Sequence, residues 1–324
     1  MGPVAIPRVE ARRNPHSMNP SNSTPFVSCD WGTSNFRLRT VGSLPVREVR
    51  HDSGAAKLAD LGGDRAESFR STLRAGLQEL GAPDHCPVII SGMASSTIGW
   101  KELPYAPLPF ALDGSSAVIQ PIEERVYLVS GIRGASEMAR GEETQAIGLA
   151  AQLGSALPDH ALFLLPGTHS KHLTVHRGQI VALRTFMTGE LFELLTRHSV
   201  LRHTTDPGAA FDSTAFTEGV ETSSHHPLLG ALFQTRTRQV LNGKSSAANA
   251  SFLSGLLIGN ELSHLAAESA GLPPLRIYIA AGETLRTSYQ RAALTLGLES
   301  RIQCIDSDSL TALGQQVLLS RLNP

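Results

Sequence analysis

The chain has 324 residues, of which 41% are hydrophobic and 18% charged, and its formal net charge is −1. This length suits two domains of ordinary size, and the composition is typical of a globular protein with a full core. A balanced charge gives no general attraction for nucleic acid or an anionic membrane, and no apolar run is long enough to span a bilayer. We therefore expect neither a nucleic-acid-binding protein nor a membrane protein.

The first 24 residues are rich in Pro, Asn, Ser and Arg and show no hydrophobic periodicity. They lack the apolar segment of a secretory signal, and four prolines would break an amphipathic helix. We predict a disordered N-terminal extension over residues 1–24, with Met18 as an alternative start.

The cysteines (Cys29, Cys86 and Cys304) are odd in number and far apart in the sequence. Such a sparse set indicates free thiols in a reducing compartment rather than a disulfide framework. The expected location is therefore the cytoplasm.

From residue 25 onward the chain contains one sequence pattern twice. The first copy begins at Pro25 and the second at Ala161. Each has a short apolar run, a polar turn with Gly-Thr (DWGTSN in the first, PGTHSK in the second) and an alternating strand, followed by a second turn and a third strand. Two such units predict two related domains, which we place at residues 25–155 and 156–324.

The segments between these units predict an α/β alternation. Apolar residues from Ala66 to Leu80 recur at helical spacing, and Gly81 is placed to end that helix. Gly255 and Gly259 extend a flat stripe begun by Ser251, which predicts close packing against a neighbouring helix. Further strands are predicted at residues 88–90, 126–129, 277–280 and 302–305, and further helices after Glu143 and around residues 191–195, 228–241, 251–265 and 310–319.

The two Gly-Thr turns are the first candidates for chemistry. Such a turn presents backbone N–H groups and a hydroxyl to one point, which suits phosphate oxygens. A single turn of this kind is usually structural, but two in equivalent positions indicate a nucleotide held between two domains. Asp30 adds a carboxylate for Mg²⁺, and Lys171 adds a cation. The residues predicted to bind the nucleotide are Asp30, Gly32, Thr33, Ser34, Asn35, Gly167, Thr168 and Lys171.

Two adjacent carboxylates, Glu142 and Glu143, stand between the two turns. A carboxylate within hydrogen-bond reach of a hydroxyl can accept its proton during phosphoryl transfer. Acidic residues at a helix start also interact favourably with the helix dipole, so spacing alone leaves a structural explanation open. The position between the turns favours the catalytic interpretation.

Arginines are the candidates for a substrate carboxylate, because a guanidinium pairs with that group bidentately. They are Arg133, Arg140 and Arg184, and for each of them a salt bridge is an equal alternative. The segment from Gly99 to Tyr105 combines two aromatic residues with a proline, and it is expected either to line a sugar pocket or to pack on the core.

Seven stretches along nearly the whole chain resemble the 2-dehydro-3-deoxygalactonokinase family: DWGTSN, SGMASSTIGWKELPY, RGEETQAIG, LPGTHSKH, RTFMTGEL, FLSGLLIG and IAAGETL. The resemblance implies transfer of phosphate from ATP to the 6-hydroxyl of 2-dehydro-3-deoxy-D-galactonate, in galactonate catabolism. It also implies an α/β fold of two duplicated actin-like ATPase (ribonuclease H-like) domains around a nucleotide cleft, with ATP and Mg²⁺ as cofactors.

The resemblance also implies roles for particular residues. IAAGETL is similar to the adenosine motif of this superfamily, which adds Gly282 to the nucleotide-binding set. RGEETQ is similar to the hexokinase segment that carries a catalytic Asp; Glu143 aligns best with it, and Glu142 is the alternative. The sugar acid is expected near Met93, Ser95, Trp100, Tyr105, Arg133 and Arg140.

Other functions stay open on the sequence. The substrate could be an epimeric keto-deoxy sugar acid, or the chain could be a non-catalytic, nucleotide-binding sensor of a sugar acid. Asp30, the two turns and Glu143 argue against a sensor because all of them are intact. A filament former of the same fold is a third idea, and a homodimer is one arrangement that the sequence allows.

Overall fold

The structure is a computed structural model that describes residues 24–267 and 275–322. The predicted N-terminal extension lies outside the described residues except for Thr24. The strands are β1 (Phe26–Trp31), β2 (Phe36–Val41), β3 (Glu48–His51), β4 (Val88–Gly92), β5 (Ala106–Pro107), β6 (Phe110–Ala111), β7 (Ile119–Glu123), β8 (Val126–Val129), β9 (Ile132–Arg133), β10 (Met138–Ala139), β11 (His160–Leu165), β12 (Ser170–His176), β13 (Gln179–Phe186), β14 (Arg276–Ala281) and β15 (Ile302–Asp306).

The helices cover the faces of the sheets and supply the walls of the cleft described below. They are α1 (Ala55–Asp60), α2 (Arg65–Leu80), α3 (Glu142–Leu153), α4 (Thr188–His198), α5 (Ser213–His225), α6 (Leu228–Leu232), α7 (Gln234–Asn242), α8 (Ser246–Ala267), α9 (Glu283–Thr295) and α10 (Leu310–Leu322). Within the described ranges, no helix is both long and apolar enough to cross a membrane.

Two six-stranded sheets share one five-stranded topology. The first has the order β3-β2-β1-β4-β8-β7, and the second has the order β15-β14-β11-β12-β13-β6. In each sheet, three strands that are consecutive in the sequence pair antiparallel (β1 to β3, or β11 to β13), and two later strands (β4 and β8, or β14 and β15) extend the sheet in parallel from the first of the three. The sixth strand differs, since β7 pairs antiparallel with β8 at one edge of the first sheet and β6 pairs with β13 at one edge of the second. Strands β1 and β11 therefore occupy equivalent places. The predicted duplication of an actin-like α/β unit is confirmed.

The burial pattern follows from the sequence of each strand. In β2, Phe36 and Leu38 are fully buried while Arg37 and Arg39 alternate with them on the more exposed face. In β11, the run from Ala161 to Leu165 is buried on both faces because helices cover both sides. The thiols are free, as predicted: Cys29 and Cys86 are buried, and Cys304 is partly buried.

The predicted end of α2 and the predicted close packing of α8 are confirmed, whereas one predicted helix is wrong. Helix α2 begins after Asp64, whose carboxylate accepts from the Glu67 N–H, and it ends at Gly81 in the left-handed conformation. A Cβ at Gly255 would lie 2.0 Å from the Phe216 carbonyl oxygen, so α8 and α5 touch backbone to backbone. The single helix predicted over residues 228–241 is instead two, α6 and α7, joined at Phe233.

Two elements cross the boundary predicted between residues 155 and 156. Strand β6, from the first half, pairs with β13 in the second sheet. Helix α10, at the end of the second half, packs against α3, β1 and β4 of the first. The crossing of α3 and α10 is so close that a Cβ at Gly148 would lie 1.9 Å from the Leu310 carbonyl oxygen. The cleft is therefore built on a tightly joined base.

Candidate active site

A cleft of 440 Å³ opens between the two halves at the ends of β1 and β11. Because these strands occupy equivalent places in the two sheets, the turns that follow them face each other. The structure brings together most of the residues predicted from the two turns and from the segment between them. Those that line the cleft are Asp30, Gly32, Thr33, Gly167, Thr168 and Lys171, with Met93, Tyr105, Arg140 and Glu142.

Each turn is held from behind by the start of a helix. The carbonyl of Thr33 accepts a hydrogen bond from the N–H of Ala56 in α1 at 3.1 Å, and the carbonyl of Thr168 accepts one from the N–H of Glu190 in α4 at 3.0 Å. Among the described residues, neither the Thr33 N–H nor the Thr168 N–H donates to a protein acceptor. Both turns thus have their carbonyls fixed away from the cleft and amide donors free to meet an anion.

A glycine makes each of these supports possible. A Cβ at Gly54, just before α1, would lie 2.3 Å from the Thr33 carbonyl oxygen. A Cβ at Gly189, in the first turn of α4, would lie 2.5 Å from the Gly167 carbonyl oxygen. No side chain fits at either place, so the duplicated turns keep the same close approach of helix and turn.

Asp30 is the penultimate residue of β1. It lines the cleft and pairs with Arg37 on the neighbouring strand. Burial raises the pKa of the Asp30 carboxyl, Arg37 opposes that rise, and the nearby Glu142 carboxylate adds to it. Two carboxylates this close in one cleft suit a divalent cation, which relieves their repulsion. The donor set therefore fits Mg²⁺ held by Asp30 together with phosphate oxygens.

The adjacent glutamates of α3 point to different surroundings. Glu142 lines the cleft, with its Oε2 accepting from the Arg140 N–H at 2.8 Å and its Oε1 3.9 Å from Nζ of Lys171. Glu143 is fully buried, accepts from the Gly141 N–H at 2.7 Å and from the Thr144 hydroxyl at 2.9 Å, and is not among the cleft residues. Glu142 therefore occupies the cleft, whereas the family resemblance favours Glu143.

Burial, with a smaller contribution from Glu142, raises the pKa of Glu143 to about 7. Its hydrogen bonds to Thr144 and Gly141 oppose that rise without cancelling it. Glu143 also belongs to a buried polar chain: the Thr144 hydroxyl, which donates to Glu143, lies 3.0 Å from the Ser91 hydroxyl, and that hydroxyl accepts from the amide of Gln315 in α10. Its surroundings indicate a role in fixing the start of α3 rather than in meeting a substrate.

Arg140 is the cation best placed on the first half of the cleft. Its Nη1 donates to the carbonyl and the hydroxyl of Ser95, both at 2.6 Å, and its guanidinium lies 4.1 Å from the centroid of the Tyr105 ring. Ser95 is fully buried, so it holds Arg140 and does not face the cleft. A guanidinium fixed in this way can present its remaining N–H groups to a carboxylate.

Several predicted residues lie elsewhere. Trp100 is buried, with its ring 6.4 Å from that of Trp31 and 6.2 Å from that of Phe69, in the core behind the cleft. Arg133 lines a separate hollow of 450 Å³. Four other predicted residues are exposed and line neither the cleft nor this hollow: Ser34, Asn35, Arg184 and Gly282.

A second cavity, of 290 Å³, adjoins the cleft through Gly167 and lies wholly in the second half. Its walls are largely apolar and come from α4, α8, α9 and the segment around residues 206–211. Gly282 stands directly before α9, whose residues Thr284 and Leu285 reach this cavity. The sequence missed most of this lining, because small residues of α8 such as Ser254 carry no chemical signal by themselves.

Comparisons with known proteins show the family of the chain. Residues 30–317 match the model of a family described as 2-keto-3-deoxy-galactonokinase. The chain belongs to this family. As a member of the 2-keto-3-deoxy-galactonokinase family it is an ATP-dependent carbohydrate kinase, and the predicted resemblance is confirmed.

Two relatives cover most of the chain. A Rhizobium meliloti protein named as a proposed 2-dehydro-3-deoxygalactonokinase is 34% identical over 302 residues, which are 89% of this chain and 94% of that protein. The 2-dehydro-3-deoxygalactonokinase of Escherichia coli is 30% identical over 279 residues, with 85% and 91% covered.

Solved structures show the same fold. A crystal structure of a Sinorhizobium meliloti protein, also described as a proposed 2-dehydro-3-deoxygalactonokinase, has a TM-score of 0.80 at 32% identity and covers 92% of this chain and 99% of its own. The activator of 2-hydroxyisocaproyl-CoA dehydratase from Clostridium difficile has a TM-score of 0.51 at 11% identity, with 93% and 98% covered. This second likeness concerns the fold alone, and it fits the actin-like architecture of the kinase family.

Proposed function

We propose that the chain transfers the γ-phosphate of ATP to the 6-hydroxyl of 2-dehydro-3-deoxy-D-galactonate, with Mg²⁺, in the cytoplasm and as a step in galactonate catabolism. The observation that carries this proposal is the pair of duplicated turns that face each other across the cleft with Glu142 between them. Family membership supports the substrate, because the relatives that match along most of the chain carry its name.

ATP fits the cleft with its phosphates between the two turns and its nucleoside in the adjoining 290 Å³ cavity. The free N–H groups of Thr33 and Thr168 would bind phosphate oxygens, and Lys171 would bind the group in transfer. Asp30 would hold Mg²⁺, which when bound neutralises charge on the phosphates. The apolar wall of the second cavity suits a nucleobase because it excludes water from the ring faces.

Glu142 is the proposed general base. Its carboxylate lines the cleft, with Oε1 3.9 Å from Nζ of Lys171. From this position it would orient the 6-hydroxyl and accept its proton as the oxygen attacks phosphorus. Such assistance is worth roughly 10²–10⁴-fold, so positioning and charge neutralisation by the turns must supply most of the rate.

The sugar acid would lie along the first half of the cleft. Arg140 is the proposed partner of its carboxylate, with Tyr105 beside the guanidinium and Met93 in the same wall. Binding both ends of an extended six-carbon acid would fix the 6-hydroxyl near Glu142 and reject shorter acids.

A coupled assay of ADP release tests the proposal. The purified chain, ATP and Mg²⁺ are offered 2-dehydro-3-deoxygalactonate or its gluconate-derived epimer, and kcat/KM is compared. We expect release with the galactonate-derived acid and much less with the epimer, because a pocket that pairs one hydroxyl configuration leaves groups unpaired with the other. Equal kcat/KM for the two acids would mean that the kinase accepts both epimers. ATP binding without ADP release in the presence of either acid would favour a sensor.

A further inference from the structure

A buried carboxylate lies outside the cleft at the centre of the second half. Glu261, on α8, is 2% exposed and accepts four hydrogen bonds from side chains. Its Oε1 lies 2.6 Å from the hydroxyl of Ser170 and 2.9 Å from Nε2 of His172. Its Oε2 accepts from the hydroxyls of Tyr289, at 2.7 Å, and Thr188.

The four donors come from three elements that shape the nucleotide side of the cleft. Ser170 is the first residue of β12, directly after the second Gly-Thr turn, and His172 follows on the same strand. Thr188 is the first residue of α4, and the next residues of that helix support the turn from behind through Gly189 and Glu190. The fourth donor stands on α9, which walls the 290 Å³ cavity.

An ionised carboxylate has about four acceptor positions, and here four donors fill them. Burial alone would favour the neutral acid, but the hydrogen bonds from His172 and Ser170 outweigh it and hold the pKa of Glu261 below its ordinary value. Bonds to a charged acceptor are shorter and stronger than neutral ones. The charge of Glu261 thus fixes the donors in one arrangement, which an apolar residue packed at the same place could not do.

We propose that Glu261 is a positioning residue for ATP: it holds the second Gly-Thr turn and the mouth of the nucleoside cavity in register without contacting the nucleotide. This inference rests on the proposed function, since it assigns the turn and the cavity to ATP. Glu261 itself lines neither the cleft nor the cavity.

The test measures ATP affinity and the two KM values separately in Glu261→Gln and Ser170→Ala. Glu261→Gln keeps the shape and removes the charge, while Ser170→Ala removes one donor next to the turn. We expect the Kd for MgATP in calorimetry and the KM for ATP to rise by about tenfold or more in Glu261→Gln, as for other residues that orient a binding group. Ser170→Ala should show a smaller rise, and the KM for the sugar acid should not change in either variant.

Thr196→Val is the matched control. Thr196 is a buried residue of α4 that lines neither the cleft nor the cavity, and its hydroxyl donates to the Phe192 carbonyl at 2.8 Å. It should lower the melting temperature without a change in the Kd for MgATP. A lowered melting temperature with an unchanged Kd in Glu261→Gln and Ser170→Ala would overturn the proposal and leave Glu261 a purely structural role.

Ser170→Ala alone decides the question if Glu261→Gln does not fold. The direct measurement of ATP binding also separates this inference from the proposed function. A wild-type chain that binds MgATP but does not phosphorylate the sugar acid would contradict the proposed reaction, and the Kd comparison would still decide the role of Glu261.

Discussion

Nζ of Lys171 lies 3.9 Å from Oε1 of Glu142, and the two residues belong to opposite walls of the cleft. Lys171 follows the second Gly-Thr turn and is 6% exposed, while Glu142 begins the helix that closes the first unit. With ATP bound, the Lys171 ammonium can interact with the phosphates and with the Glu142 carboxylate at the same time. One cation then links the proposed base to the group that is transferred.

The adjacent glutamates give the sharpest test of the mechanism. Glu142→Gln should lower kcat by roughly 10²–10⁴-fold, with little change in either KM, because the amide cannot accept the proton. Glu143→Gln is the matched control: it is the same substitution one residue away, in a side chain that does not reach the cleft, and it should keep most of the turnover. Steady-state kinetics that showed the reverse order would return the base to Glu143.

Asp30→Asn should abolish the dependence of binding on Mg²⁺. The amide keeps the shape but removes the charge that the cation needs, so kcat/KM should fall by roughly 10²-fold or more. Calorimetry with ADP separates this effect from a damaged turn. Affinity for ADP without Mg²⁺ should stay the same or increase, since a carboxylate no longer repels the phosphates, and a loss of that affinity would count against a metal role.

Arg140→Ala should raise the KM for the sugar acid by about 10-fold or more, because a charge-assisted bond to its carboxylate is lost. The KM for ATP should not change. Arg133→Ala serves as the control, since Arg133 lies in a separate hollow and its removal should leave both constants as they are. If the two variants behaved alike, Arg140 would not be the carboxylate partner.

The raised pKa of Glu143 makes the stability of the chain depend on pH. The folded protein holds a proton up to about pH 7 that the unfolded chain, with an ordinary value of 4.5, has already lost. The free energy of unfolding should therefore fall as the pH rises through this window, by about 3 kcal/mol in all. Urea unfolding from pH 4.5 to 8 should show that this slope is smaller in Glu143→Gln, and equal slopes would contradict the assignment.

The crossing of α3 and α10 should tolerate no side chain. A Cβ at Gly148 would lie 1.9 Å from a backbone oxygen, so Gly148→Ala should destabilise the fold by about 1–3 kcal/mol or more. Gly230→Ala, in α6, is the control, because a Cβ at Gly230 would have no neighbour within 4 Å outside the backbone of its own helix. It should be neutral or stabilise by up to about 1 kcal/mol, and denaturant unfolding measures both.

The duplicated parts of the site could be predicted because the same local pattern produces the same strand, turn and strand twice. The position of Asp30 and of both Gly-Thr pairs in the cleft could be predicted from their place at the ends of buried strands. The choice between Glu142 and Glu143 was different. Which of the two side chains reaches the cleft depends on the direction in which α3 starts. Gly141 sets that direction with a φ of 104°, which the sequence pattern does not predict.

Residues whose direction depends on distant neighbours could not be predicted. Trp100 faces the core because Trp31 and Phe69, far away in the sequence, leave a place for its ring there. Helix α5 was missed for a related reason. It packs on α8 through small residues such as Gly219, so its apolar stripe is weak even though its contact is close.

The exchange of β6 and α10 between the two halves has a consequence for how the molecule comes apart. Each sheet includes or is covered by a segment from the opposite half, and one apolar core that contains both Phe26 and Phe163 runs through the two. Neither half can lose its structure without exposing surface in the other. The two duplicated halves therefore depend on each other for their structure. On heating, they should unfold together in one cooperative transition instead of two.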